Sequence, residues 1–176
     1  MSLRPILVAG LLLAAACAGP SAEPVPPPAP SEAWSLTFEY QPGYTAYGIW
    51  WTVTVPSEGL CVAQARRWVR LQTGEPFDPT PEMRATLHAA VEAARFDELT
   101  DCYGCGADCD RMTLTSSDAA GTHVARVSTG YPLPPDSPER DAQHRLLRVV
   151  IEVLRLTASP IPEQTPEFYE EWLARH

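Results

Sequence analysis

The chain has 176 residues, a formal net charge of −9 and 45% apolar residues. That length accommodates one domain with attachments, and the apolar share suffices for a packed core and excludes a wholly disordered chain. All thirteen basic residues are arginine, and an acidic chain without clustered positive charge is a poor ligand for nucleic acid or for an anionic bilayer surface.

In chain order, Met1–Arg4 carries a single positive charge, and Ile6–Ala16 is apolar apart from Gly10. This run has the length of a secretory signal core and falls well short of the ~20 residues of a spanning helix. Ala14, Ala15 and Ala16 then precede Cys17. The segment resembles a bacterial lipoprotein signal, which is cut just before the cysteine and lipidated on it. The resemblance implies a signal peptide over 1–16 and a fatty-acyl anchor at Cys17. Ala14 stands where leucine is usual, with Leu13 one step back, so cleavage to a soluble exported form is the alternative. Cysteine parity favours lipidation: without Cys17, four cysteines remain, an even number suited to an oxidising compartment. Ala18, rather than aspartate, follows Cys17, which by the same resemblance points to the outer membrane. Residues 17–33 are then the lipidated cysteine and a linker. Its run "PSAEPVPPPAP" favours extended polyproline II and holds a domain roughly 40–50 Å from a membrane surface.

From Trp34 onward the pattern is that of a globular domain, expected over 34–160. Trp34, Leu36, Phe38 and Tyr40 alternate with polar residues, as in a half-buried strand. A second strand puts Ile49, Trp51, Val53 and Val55 on one face and Trp50, Thr52 and Thr54 on the other. Leu60–Leu71 reads as a third strand. Thr80 and Pro81 open a helix with Met83, Leu87, Ala90, Val91 and Ala94 inward and Arg84, His88, Glu92 and Arg95 outward. Arg111–Ser116 and Thr122–Thr129 form a hairpin across "SDAAG". Ser137 and Pro138 start a second helix that buries Leu146, Val149, Val150 and Val153. The order β-β-β-α-β-β-α predicts an α+β domain, with an antiparallel sheet of about five strands and two helices on one face. A short helix capped at Thr165, within a tail over 161–176, carries Phe168, Tyr169, Trp172 and Leu173. Trp50 and Trp68 on the outer face are either a binding patch or the seat of that tail.

The densest chemistry is "DCYGCGADCDR", Asp101–Arg111. With Cys61 it offers four thiols: Cys61, Cys102, Cys105 and Cys109. Disulfides of undetermined pairing are the first expectation. A bond from Cys61 into the loop would close about 45 residues and contribute roughly 4 kcal/mol, against about 2 for Cys102–Cys105. A four-thiolate zinc site and a redox pair are the alternatives, the latter opposed by Asp101, Asp108 and Asp110, which raise thiol pKa values. Asp108 and Asp110 do not continue into a calcium-loop pattern. No catalytic motif is present, and His88, His123, His144 and His176 show no ligand spacing. The chain is therefore expected to be no enzyme and to need no cofactor.

The run "SLTFEYQPGYTAYGIWWTVTV", a helix ending in "ARFDEL", the segment "DRMTLTSSDAAGTHVARVS" and a last helix together resemble small domains common in bacterial lipoproteins. In order they are also similar to emfourin-type inhibitors of thermolysin-like proteases. The first resemblance implies an envelope lipoprotein with a binding or structural role toward a protein or envelope component. The second implies a metalloprotease inhibitor. An enzyme of unknown class is the remaining alternative.

Overall fold

Period-two alternation of apolar and polar side chains builds the central strands of this molecule. The computed structural model describes residues 33–43, 48–67, 70–100, 102–157 and 159–176. Cys17, the proline run and Trp68 lie outside the described residues. The strands are β1 (Ser35–Gln41), β2 (Ile49–Pro56), β3 (Val62–Arg67), β4 (Arg70–Thr73), β5 (Cys102–Tyr103), β6 (Arg111–Asp118) and β7 (Gly121–Val127). They form one sheet in the order β4-β3-β2-β1-β6-β7-β5. Every pairing is antiparallel except that of β5 with β7, which is parallel.

The central register aligns the core. Leu36 lies opposite Val55 and Ser116, Phe38 opposite Val53 and Leu114, and Tyr40 opposite Trp51 and Met112. All of these side chains are buried, and each large apolar one contributes about 1.5–3 kcal/mol by leaving water. Leu87, Val91 and Ala94 of α1 (Pro81–Ala94), and Leu146, Val149, Val150 and Val153 of α2 (Pro138–Leu156), join the same core. The opposite face carries Thr37, Thr52, Thr54, Thr113 and Thr115, and Trp50 stands 50% exposed there.

The helices begin where the sequence predicts. Thr80 accepts from the Met83 N–H, Ser137 from Arg140 and Thr165 from Phe168, and each helix has proline in its first turn. These caps satisfy amide donors that a helix start otherwise leaves unpaired.

The α+β class holds, with a mixed sheet of seven strands and three helices among the described residues rather than five antiparallel strands and two helices. The segment read as one strand over Leu60–Leu71 folds back on itself, so that Gln64 faces Thr73 and Arg66 faces Leu71. In β3 only Val62, Ala63 and Ala65 are apolar, β4 is exposed throughout and arginines crowd the far half, so the segment forms an exposed, charged sheet edge instead of another core strand. The two-residue β5 carries no periodicity to read.

The tail docks, but on the helical side. Tyr169 and Trp172 of α3 (Pro166–Arg175) are buried, the Trp172 ring lies 5.9 Å edge-on from His144 of α2, and Arg155 of α2 pairs with Glu170. It therefore leaves the outer face, and Trp50, uncovered by α3. Nε2 of His144 is buried with no hydrogen-bond partner among the described residues. Burial first, then Arg140 and Arg148 and least of all His176, hold its pKa below the usual 6.5, against an opposing pull from Asp141. A histidine held neutral in the fold stabilises it above its unfolded pKa, and that stability is lost as pH falls through 6.5 toward the folded value. Acidification from neutrality should therefore loosen α3, lowering the melting midpoint of the wild type more than that of His144→Leu.

Candidate functional site: an acidic cleft beside Trp34

At one end of the sheet, where α1 crosses the strand ends, lies a cleft of about 530 Å³. Four parts of the chain line it: Trp34 ahead of β1; His88, Glu92 and Arg95 on the last turns of α1; Asp97 in the following 3₁₀ turn; and Ser116, Asp118 and His123 on the β6–β7 hairpin. The positions follow from local rules. His88, Glu92 and Arg95 recur at helical spacing and share one side of α1. Ser116 lies directly opposite His123 in the ladder, so both face the helices. Arg95 ends α1 in the left-handed conformation at φ 55°, which turns the chain into Phe96–Glu98.

The floor is apolar and the rim charged. Val91 and Phe96 are buried. The indole of Trp34 stacks on the His88 ring with centroids 4.8 Å apart and planes 19° from parallel. His88 Nε2 lies 3.9 Å from Glu92. Asp118 accepts from the Ala120 and Gly121 amides at 2.7 and 3.1 Å, which fixes its carboxylate at the hairpin tip. Arg95 is paired with Glu98. Ser116 is 6% exposed, and its hydroxyl has no hydrogen-bond partner among the described residues. The cleft can thus hold an apolar stem against its floor and a polar or charged end at its rim.

The residues singled out in the sequence fall elsewhere. Cys102 and Cys105 form a disulfide with S–S 2.04 Å. Cys61 and Cys109 are free, so of the pairings left open the long-range one from Cys61 does not form. The reason is placement: Cys61 bridges to Phe77 beside α1, with Arg84 Nη1 3.9 Å from its sulfur. Burial pushes its thiol pKa up, against the pull of Arg84. Cys109 instead packs over Gly130, where an added Cβ would lie 2.7 Å from the Cys109 Cβ. The four thiols do not converge, and among the described residues no three of His, Cys, Asp and Glu could hold a metal ion. Asp110, expected in a solvated loop, accepts from the Tyr40 hydroxyl at 2.5 Å and the Gly43 amide at 2.8 Å. Burial, then that hydrogen bond, raises the Tyr40 phenol pKa far above its usual value. Reduction of Cys102–Cys105 releases a loop of four residues, and should cost about 2 kcal/mol, read as a lower melting midpoint in dithiothreitol that Cys102→Ser no longer shows.

Compared with known protein families, curated proteins and solved structures, the chain matches none. Among the described residues no helix is long and apolar enough to cross a membrane. The cleft therefore rests on its own geometry. Sequence reasoning placed His88, Glu92 and Arg95 on a solvated helix face and His123 in a strand. The one local hint was the i, i+4 pair His88 and Glu92; the approach of Ser116 and Trp34 is a tertiary event with no local mark.

Proposed function

We propose that this protein is a cell-envelope lipoprotein, anchored through lipid on Cys17 at the outer membrane, whose globular domain binds an envelope partner through the Trp34 cleft. The observation that carries the binding role is the cleft itself, a concave site with an apolar floor, a charged rim and the unpartnered Ser116 hydroxyl. Support for the anchor is the apolar run ending in Cys17, the residues rich in proline that follow it, and the disulfide at Cys102–Cys105, a bond at home in oxidising compartments.

Mass spectrometry of the chain extracted from membranes tests the anchor. A mature N-terminus at Cys17 carrying fatty-acyl mass is expected, and Cys17→Ser should move the protein to the soluble fraction; an unmodified chain beginning at Met1 overturns the anchor. A photo-crosslinking residue at position 123 tests the cleft. It should capture an envelope component, and Ser116→Trp, which fills the cleft, should abolish capture. Equal capture from a crosslinker at position 52, on the outer face, would overturn the assignment.

A further inference from the structure

We propose that the cleft takes a protonated alkylamine, the chemistry of a lysine side chain or a free diamine; this rests on the cleft being the binding site. Charge is the first argument. Glu92, Asp97 and Asp118 ring the opening, and the guanidinium of Arg95, the arginine among the lining residues, is engaged by Glu98. Asp97 has no partner among the described residues, and Asp118 is held in place by two amides while keeping its second oxygen for a ligand. The floor is the second argument. Val91, Phe96 and the edge of Trp34 offer a run of apolar surface leading to those carboxylates, which fits an alkyl stem with a charge at its end. The third is Ser116, almost wholly buried and without a hydrogen-bond partner, whose oxygen can accept from an ammonium N–H. The net charge of −9 draws cations toward the domain.

Calorimetric titration of the full mature chain in detergent tests the assignment. The probes are Nα-acetyl-lysine methylamide, its Nε-acetylated counterpart, tri-lysine, 1,5-diaminopentane and chitotriose. The free amine is expected to bind and Nε-acetylation to weaken it about tenfold, because the rim carboxylates then lose the charge they pair with. Asp97→Asn with Glu92→Gln should weaken it by about tenfold or more, while Glu171→Gln, exposed on α3, should leave it unchanged. Tri-lysine binding far more tightly than the diamine assigns the amine to a basic peptide; the reverse order assigns it to a free polyamine. No heat from any amine at millimolar concentration, equal affinity for the Nε-acetylated probe, or chitotriose binding alone overturns the proposal. If the position-123 crosslinker still captures a component that Ser116→Trp blocks, the binding role stands without the amine; if capture fails while the amine binds, the ligand chemistry stands and the envelope partner falls.

Discussion

Arg84→Met is expected to destabilise the fold by about 3 kcal/mol. The Arg84 side chain is only 11% exposed. Its Nη1 donates to the Pro56 carbonyl at 2.5 Å, and its Nη2 donates to the Gly59 carbonyl and to Asp78 Oδ1, the last at 2.8 Å. One guanidinium thus fastens the end of β2, the turn after it and the loop before α1 to the helix. Methionine fills similar volume, so the loss comes from two part-buried carbonyls left without donors. The Asp78 carboxylate is 70% exposed, and its ion pair contributes little. Arg84→Lys keeps the charge without the planar fork, and should cost about 1–2 kcal/mol. Urea denaturation reads both as lower midpoints at an unchanged slope; a midpoint at the wild-type value for Arg84→Met would refute the clamp.

Gly104→Ala should cost a similar amount, about 3 kcal/mol, by adding left-handed strain to a steric clash. Gly104 has φ +66°, and a Cβ there would meet the Gln143 amide nitrogen and lie 2.6 Å from the Ser128 carbonyl and 2.8 Å from that of Tyr131. Those two carbonyls are the acceptors for Gln143 Nε2, at 2.7 and 3.3 Å, and Gln143 is fully buried on α2. The added methyl therefore pushes apart the contact that seats the loop after β7 on the second helix, to which the cysteine loop is joined by the Tyr131 amide donating to the Gly104 carbonyl. Gly59→Ala is the control: φ is +87°, nothing lies within 4 Å of the added Cβ, and only the conformational cost of about 1 kcal/mol remains. Equal midpoints for the two variants would show that strain alone acts at Gly104.

Both effects bear on how far the chain can be read unaided. Arg84 sits at an outward position of an amphipathic helix, and helical spacing assigns it to solvent. It turns inward because two carbonyls from the distant end of β2 and its turn await it beside Asp78, and no local pattern records those carbonyls. Gly104 and Gly130 read as ordinary loop glycines, yet each is small because a neighbour from another element occupies the space of a Cβ. The same holds for the thiols. Cys102 closes locally on Cys105, one of the pairings that spacing leaves open. Spacing says nothing of Cys61 and Cys109, which are separated by the route of the chain. The cleft was legible only in pieces, since its lining comes from four parts of the sequence.

The sequence by itself determined what depends on near neighbours: alternation in β1, β2 and β6, the helix starts at Thr80, Ser137 and Thr165, and the α+β class that their order implies. Period and capping act within a turn or a strand, so they survive without knowledge of the rest. Only the tertiary structure decided that Leu60–Leu71 doubles back, that α3 lies on α2 rather than behind Trp50, and that Trp34, Asp97 and Ser116 meet. Those outcomes turn on which surfaces remain unburied once the first elements have packed, a property of the whole chain that no short stretch of it contains.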